Sequence, residues 1–289
     1  MTSKEKCASK KVKAIFETDP WLEPYKGAIL ARCERILAQR KKLTGEGPMS
    51  PGINNHLYYP LHREGQQWVI REWAPNATRI FLIGDFNNWK RIEGYAFTPV
   101  GEGNWELRLP SMFLHHGDLY KLWIEWPGGG AERLPAYVTR AVQDPETKLF
   151  SAQVWDPAPY VWKHRKVGSR PHPLIYECHI GMSGEKEEVS TFEQFRLQVL
   201  PRVAALGYNV LQIMALQEHP YYGSFGYQVS NFFALSSRFG TPEQFKALVD
   251  DAHARGIAVI MDIVHSHAVS NEAEGLSRFD GRDDLYFYP

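Results

Sequence analysis

A short apolar run that ends in an aspartate and two histidines constrains this chain more than any other stretch. Residues 257–261 are apolar, Asp262 interrupts them, and His265 and His267 follow two further apolar residues. A buried parallel strand that delivers polar side chains at its carboxyl end has this pattern. Because ligands bind at the carboxyl ends of strands in α/β folds, we expect Asp262 and His267 to lie at a binding site.

Two strand–helix units precede this strand in the sequence. Strands are predicted over residues 174–180 and 209–214, and the following helices open on the capping boxes 191–194 and 241–244. Consecutive units of this kind imply a parallel sheet or a βα barrel. The predicted buried face of the first helix consists of Phe192, Phe195, Val199, Leu200, Val203 and Leu206.

The region from about residue 58 to residue 156 has the pattern of an all-β domain. Apolar residues alternate with polar ones over 105–109 and 120–126, and Gly- and Asn-rich turns separate the strands. Repeated short strands of this kind predict a small β-sandwich. We therefore divide the chain into a helical lead-in (1–52), a sandwich (53–160), a linker (161–173) and the first three βα units of a barrel (174–289).

Composition excludes several classes of partner. The 33 basic and 33 acidic residues give a formal charge of zero, whereas nucleic acids and anionic membranes favour a basic excess. No run approaches the ~18 apolar residues of a membrane helix, and the first residues lack the core of a signal peptide. Cys7, Cys33 and Cys178 are scattered without metal-ligand spacing. We expect a reduced, cytoplasmic protein without a metal or other cofactor.

The segment between the second strand and its helix is unusually long. It spans about 26 residues, whereas loops in compact α/β units usually have roughly 2–6. Its aromatic residues alternate with glycines, and His219, Tyr227 and Gln228 are among them. Aromatic faces pack on sugar rings while amide and imidazole groups hold hydroxyls, so the loop is a candidate carbohydrate site. A packed loop without a ligand is an equally good interpretation.

The same ambiguity applies to the residues after the third strand. Asp262 can orient a catalytic group and His267 can donate to a hydroxyl, or Asp262 can simply cap a turn. Metal binding by His265 and His267 is a weaker option, because their spacing lacks the helical geometry of zinc motifs. In the β-rich region, Trp73, Trp89 and Trp105 are expected near Lys121. Trp105 is expected in the core, and Trp73 and Trp89 are candidate sugar platforms.

These motifs together resemble the glycogen and starch branching enzymes of the α-amylase superfamily. Residues 262–267 resemble the first signature region of the superfamily, and residues 222–229 and 238–243 resemble the branching-enzyme segment after the second barrel strand. Residues 72–77 and 84–89 resemble the family-48 carbohydrate-binding module that precedes the barrel. The resemblance begins near Asp19 and is closer to the eukaryotic-type enzymes.

The resemblance implies a retaining transglycosylation, in which an α-1,4-glucan is cleaved, a glucosyl-enzyme ester forms and the chain moves to a 6-hydroxyl. It implies that Asp262 and His267 support the subsite of the cleaved glucose, that Tyr227 stacks there, and that His219 and Gln228 are neighbours. It also implies glucan contacts in the binding module at Trp73, Pro75, Trp89, Asn104 and Lys121. The implied partner is an α-glucan such as glycogen, and we expect the full-length protein to be a monomer.

One segment carries the letters of the family's nucleophile region without the right context. Residues 278–281 read Arg-Phe-Asp-Gly, but Asp280 lies only 18 residues beyond Asp262 and no apolar strand precedes it. A crossover needs about a dozen residues plus a fourth strand. We therefore expect the nucleophile and the acid/base outside these 289 residues.

Without those carboxylates, the chain alone is expected to be inactive. Three strands with open edges are also expected to make it unstable or prone to aggregate. Two alternatives stay open, a non-catalytic glucan-binding protein and part of an α-1,6-debranching relative.

Overall fold

The computed structural model describes residues 14–44, 54–168 and 170–288. Cys7, the first part of the predicted lead-in and the break after Thr44 lie outside these ranges. The chain forms two compact units, Met1–Asn55 and His56–Pro289. In the first, residues 14–18 are helical, a 3-10 helix covers Pro20–Tyr25 and α1 covers Lys26–Thr44. Within the described ranges, no helix has the length and apolar character that crossing a membrane requires.

Two antiparallel sheets make up the first half of the second unit, after the short helix α2 (Asn55–Tyr58). One sheet has the order β1-β2-β5-β4, formed by His62–Glu64, Gln67–Trp73, Asn104–Pro110 and Thr98–Gly101. The other has the order β3-β6-β9-β8, with β7 paired to β6; its strands are Arg79–Gly84, Leu119–Trp126, Phe150–Gln153, Ala141–Gln143 and Gly129–Arg133. Short 3-10 helices cover Asp85–Asn87, Glu93–Tyr95 and Ser111–Phe113.

The core of the sandwich follows from the alternation seen in the sequence. Trp105, Leu107 and Leu109 on β5 are buried together with Leu122 and Ile124 on β6, because alternate side chains of a strand point to one face. The predicted core position of Trp105 is confirmed. Its indole nitrogen donates to the carbonyl of Ala74 at 3.1 Å.

The second half contains a parallel sheet of three strands in the order β10-β11-β14. These are Ile175–Cys178, Val210–Ile213 and Ala258–Met261, each shorter than predicted by one to three residues. A two-stranded hairpin, β12 (Gln217–Glu218) and β13 (Asn231–Leu235), lies in the segment that the sequence suggested was a loop. Further 3-10 helices cover Ile180–Met182, Tyr222–Ser224 and Ser237–Phe239.

Both predicted capping boxes are present. The side chains of Thr191 and Thr241 accept from the backbone N–H groups three residues later, and the glutamines at 194 and 244 return the bond. The second box begins α5 (Pro242–Ala254). The first helix is divided into α3 (Phe192–Gln194), a π-helical turn (Phe195–Val199) and α4 (Leu200–Ala205). The predicted burial of Leu206 is wrong, because the extra residue of the π-turn shifts the helical phase and leaves its side chain exposed.

The segment expected to be a linker is bound along α5. The buried carboxylate of Asp250 accepts from the backbone N–H groups of Lys163 and His164, both at 2.9 Å. The Trp155 indole donates to Glu243 at 2.9 Å. Sandwich and parallel sheet therefore lie in one compact unit. The predicted fold class, a β-sandwich followed by the first βα units of a barrel, is confirmed.

Candidate functional site

The three parallel strands end level with one another. Cys178, Ile213 and Met261 are register partners, so the residues that follow them emerge at one edge of the sheet. Asp262 is half-buried at this edge, and its N–H donates to the carbonyl of Ile213 at 3.0 Å. Asp262 thus lies at the carboxyl end of a parallel strand, as predicted.

Two buried polar residues that the sequence reasoning missed hold the hairpin at this edge. The Glu218 carboxylate accepts from the N–H of Ser237 at 2.6 Å and the hydroxyl of Ser236 at 3.0 Å. Burial raises the pKa of Glu218. The Gln217 amide accepts from the N–H of Val264 at 3.1 Å and donates to the carbonyl of Phe232 at 3.0 Å. Gln217 thus ties the hairpin to the segment after β14.

A backbone bridge then brings the two long segments together. Val229 donates to the carbonyl of His267 at 3.1 Å and accepts from the N–H of Val269 at 2.9 Å. Gln228 and His267 are therefore adjacent across this bridge, and both are exposed. Tyr227 directly precedes Gln228 in the hairpin and is also exposed. Three of the candidate substrate-binding residues thus share one region of the surface.

His219 has a different environment from these three. Its ring is fully buried, with Nδ1 bonded to the carbonyl of Gln217 at 2.9 Å and Nε2 without a partner. Burial lowers the pKa of His219 to about 4, and the nearby Arg238 acts in the same direction. In this structure His219 belongs to the interior of the loop and not to its exposed surface.

A second buried imidazole lies near His219. His179 follows β10 and has no hydrogen-bond partner at either ring nitrogen. The rings of Phe239, Tyr222 and Phe225 surround it at centroid distances of 5.4–6.0 Å. Burial lowers the pKa of His179 as well. Across the described part of the chain, no three His, Cys, Asp or Glu residues come close enough to hold a metal ion.

The candidate residues of the sandwich form two surfaces and not one. Trp89 and Lys121 belong to the β3-β6 sheet, where Trp89 donates its N–H to Gly84 and Lys121 pairs with the neighbouring Ile83. Trp89 is 37% exposed, in a left-handed turn with φ of 59°, and its indole donates to Asp85 at 3.1 Å. Lys121 donates to Glu132 at 2.9 Å.

A residue missed by the sequence reasoning extends the first surface. Trp123 lies two residues after Lys121 on β6, so its side chain points to the same face. The guanidinium of Arg91 stands 4.8 Å from its ring. The alternation over residues 120–126 places Leu122 in the core and Trp123 on the outward face, although Trp123 was not among the residues expected to contact glucan.

Trp73, Pro75 and Asn104 form the second surface, at the end of the β2-β5 pair. Trp73 and Asn104 are register partners, and the Trp73 indole donates to the carbonyl of Glu102 at 3.1 Å. The expected proximity of Trp73 and Trp105 to Lys121 is wrong, because β2 and β5 lie in the opposite sheet from β6. Gly103, with φ of 79°, lets this turn approach Pro75, since a Cβ there would come within 2.8 Å of it.

Comparison with known proteins identifies the regions to which these surfaces belong. Residues 59–145 match the model of carbohydrate-binding module 48 (isoamylase N-terminal domain), and residues 198–280 match that of the alpha amylase catalytic domain.

Solved structures that share the fold include the following two. A pullulanase from Bacillus acidopullulyticus matches at a TM-score of 0.63 and 17% identity, over 80% of this chain and 32% of that one. The catalytic module of the pneumococcal glycogen-degrading virulence factor SpuA matches at 0.56 and 21% identity, over 71% of this chain and 36% of that one. At these identities the likeness shows the fold alone.

Curated relatives match nearly the whole chain. The 1,4-alpha-glucan-branching enzyme of Dictyostelium discoideum is 39% identical, over 95% of this chain and 41% of that protein. The chloroplastic/amyloplastic branching enzyme 2-2 of Arabidopsis thaliana is 42% identical, over 96% of this chain and 35% of that protein. The Saccharomyces cerevisiae enzyme is 39% identical, over 96% and 43%. The chain therefore spans about two fifths of the length of the curated relatives it matches.

Proposed function

We propose, from the homology of this chain to the 1,4-alpha-glucan-branching enzymes along some 95% of its length, that it serves the branching of an α-glucan such as glycogen. The whole protein would cleave an α-1,4-linked chain and transfer it to a 6-hydroxyl. Such a transfer with retention requires a nucleophilic and an acid/base carboxyl group at short range. The role of the described residues is to bind and orient the glucan for that chemistry.

The division of labour follows the order of the chain. Residues 53–160 act as the glucan-binding module, residues 161–173 connect it to the barrel, and residues 174–289 contribute the first strands of that barrel. In the proposed subsite, the carboxylate of Asp262 and the imidazole of His267 hold hydroxyls of the cleaved glucose. Tyr227 stacks on its ring and Gln228 provides an amide. Two contacts support this grouping: the Val229 N–H donates to the carbonyl of His267 at 3.1 Å, and the Val264 N–H donates to the Gln217 amide at 3.1 Å, which holds the segment after Asp262 to the hairpin.

His219 has a supporting role in this proposal. Because its ring is buried and neutral at physiological pH, it keeps the hairpin in place while Tyr227 and Gln228 face the ligand. Trp89 with Lys121, and Trp73 with Pro75 and Asn104, are two further glucan contacts. Aromatic faces in such positions attract the apolar face of glucose units, and two contacts on one module raise the effective concentration of a long chain.

Glycogen co-sedimentation tests the binding role. The wild-type chain should sediment with glycogen, and Trp89→Ala should reduce the bound fraction several-fold because it removes the exposed ring. Trp162→Ala is the matched control, since Trp162 is 50% exposed but lies on the segment along α5. Equal retention of both variants with wild-type affinity would refute a glucan site at Trp89.

We also propose that the 289 residues alone do not catalyse branching. Asp280, the residue with the nucleophile-like context, is fully buried and so is not accessible to a sugar. An iodine-stain assay and the chain-length distribution after debranching measure the activity, with the full-length yeast relative as the positive control. Clear turnover by the 289-residue chain would contradict the proposal.

A monomeric state and a cytoplasmic location belong to the same proposal. The location rests on the scattered cysteines and on the reduced environment they favour. Cell fractionation of the tagged protein would test it, and co-purification with an organelle would argue against it.

A further inference from the structure

The nucleophile-like segment Arg278–Gly281 is embedded in the sandwich, although it follows the third strand of the parallel sheet. The Phe279 side chain is fully buried in the same core cluster as Leu122 and Ile124. Gly281 has a φ of 88°, and a Cβ there would come within 2.5 Å of the Trp126 ring. The backbone of the segment therefore lies directly against the sandwich.

Polar contacts fix the same segment to a turn of the sandwich. The Asp280 carboxylate accepts from the N–H of Asn76 at 2.9 Å, and the Asp280 carbonyl accepts from the Asn76 side chain at 2.8 Å. Buried Arg133 donates to the carbonyl of Arg278 at 3.0 Å. A buried carboxylate is costly unless it is hydrogen-bonded. One Asp280 oxygen is bonded to Asn76, and the other accepts from the N–H of Arg282 at 3.3 Å and lies 3.5 Å from its guanidinium.

The anchored segment is flanked in the sequence by His267 and Tyr286, which contact two different candidate glucan-binding regions. On one side, Asn76 directly follows Pro75, and the ring of Tyr286 packs edge-on against Trp73 at 6.2 Å and 79°. On the other side, the carbonyl of His267 accepts from the N–H of Val229 in the hairpin at 3.1 Å. One stretch of the chain, from His267 to Tyr286, therefore contacts the hairpin at one end and Trp73 at the other.

We infer that Asp280 is a positioning residue that couples glucan binding at Trp73 and Pro75 to the order of the His267 segment. The inference rests on the proposed function. A glucan on Trp73 and Pro75 restrains the turn at Asn76, and this restraint strengthens the hydrogen bonds to Asp280. Because coupling between two sites is reciprocal, loss of the Asp280 anchor weakens glucan binding although Asp280 touches no sugar.

Hydrogen exchange with maltoheptaose tests the coupling. In the wild-type chain, the ligand should slow amide exchange over residues 73–77 and also over residues 262–282. In Asp280→Ala, protection should be confined to 73–77 and affinity should fall about tenfold, the size expected for losing a hydrogen bond to a charged group. Asp284→Ala is the matched control, because Asp284 is an exposed acid of the same segment that also lies near the guanidinium of Arg282, at 3.9 Å against 3.5 Å for Asp280. The two variants therefore separate the bonds to Asn76 from the shared interaction with Arg282.

Two further variants separate positioning from simple instability. Asp280→Asn keeps one acceptor for the Asn76 N–H and should restore most of the affinity. Asn76→Ala removes only the side-chain bond to the Asp280 carbonyl, so it should fold even if Asp280→Ala does not, and its affinity should fall about threefold.

The outcomes are distinguishable from failure of the proposed function. If wild-type chain binds no maltoheptaose, the proposed glucan role fails. If it binds and both Asn76→Ala and Asp280→Ala keep wild-type affinity and long-range protection, the coupling is overturned.

Discussion

The sandwich and the parallel sheet lie in one compact unit, yet they shield their apolar side chains to different extents. Leu82, Leu122 and Ile124 in the sandwich are completely buried. On the parallel sheet, Ile175 and Ile260, on the face opposite Leu211 and Ile213, are each 44% exposed. The helices after β10 and β11 cover the face that contains Leu211 and Ile213. Parallel sheets are normally covered on both faces, so the described sheet retains an uncovered apolar surface.

The difference lies in where each region obtains its last core residues. The sandwich is completed by Phe279, which comes from beyond β14. The parallel sheet obtains no equivalent cover from the described residues near Ile260. The strands of the sandwich alone therefore do not fill its core, because the Phe279 side chain completes it. The burial of a sheet can thus depend on segments distant in sequence.

Phe279→Ala should have the largest effect on this comparison. The substitution leaves a cavity in the sandwich and should lower the free energy of unfolding by about 3–5 kcal/mol. Urea unfolding followed by tryptophan fluorescence measures it. Tyr288→Ala is the control, since Tyr288 is fully exposed and its loss should change stability by less than about 0.5 kcal/mol. Equal midpoints for both variants would remove Phe279 from the core.

Two alanine substitutions, one in each sheet, test the difference in burial between the sandwich and the parallel sheet. Leu122→Ala should cost about 2–5 kcal/mol, whereas Ile260→Ala should cost less than about 1 kcal/mol because its side chain already contacts water. Ile260→Ala should also reduce self-association, measured by light scattering across a dilution series. A cost for Ile260→Ala as large as that for Leu122→Ala, dependent on concentration, would mean that copies of the chain cover this face.

Two buried groups, Glu72 in the sandwich and His219 beside the hairpin, should contribute to the pH dependence of stability with opposite signs. Burial raises the pKa of Glu72 in the sandwich to about 7, so the folded state keeps a proton that the unfolded state loses, and this contribution to stability falls as pH rises from about 4.5 to 7. Burial lowers the pKa of His219 to about 4, so the unfolded state takes up a proton first, and this contribution falls as pH drops from about 6.5 to 4.

Replacing Glu72 or His219 by a residue that does not titrate isolates the contribution of each group to the pH dependence of stability. Glu72→Gln should leave a stability that rises with pH more steeply than in the wild type, by up to about 1 kcal/mol per pH unit. His219→Asn, which keeps a donor for the Gln217 carbonyl, should give a profile shifted in the opposite direction. Urea midpoints across about pH 5 to pH 7 measure both. Parallel profiles for the two variants would show that neither group is titrating as its burial requires.

Much of the fold was predictable because it depends on local patterns. The alternation over residues 105–109 fixed the inward face of β5, and the two capping boxes fixed where α3 and α5 begin. The exposure of Leu206 was not predictable, because a π-turn leaves no signature in one sequence. Asp250 holds Lys163 and His164 through tertiary hydrogen bonds that local sequence patterns do not reveal. The sequence therefore predicted only a linker over residues 161–173.

The candidate site divides in the same way. The position of Asp262 after β14 was predictable from a strand that ends in a polar residue. The pairing of Gln217 with Val264, and of Glu218 with Ser237, joins residues 47 and 19 positions apart, which periodicity does not report. Trp73 and Lys121 lie in different sheets, and the sequence does not show which strands pair in which sheet. The roles assigned to these residues in glucan binding stay predictions.

The burial of Phe279 in the sandwich has a consequence for synthesis on the ribosome. The last strand of the sandwich, β9, ends at Gln153, and chains grow at about 5–20 residues per second. Phe279 thus emerges roughly 6–25 s after β9, whereas isolated sandwiches fold in about milliseconds to seconds. The apolar site that Phe279 fills therefore stays exposed in the nascent sandwich while the parallel strands are synthesised. During this interval the exposed site is a binding surface for a chaperone.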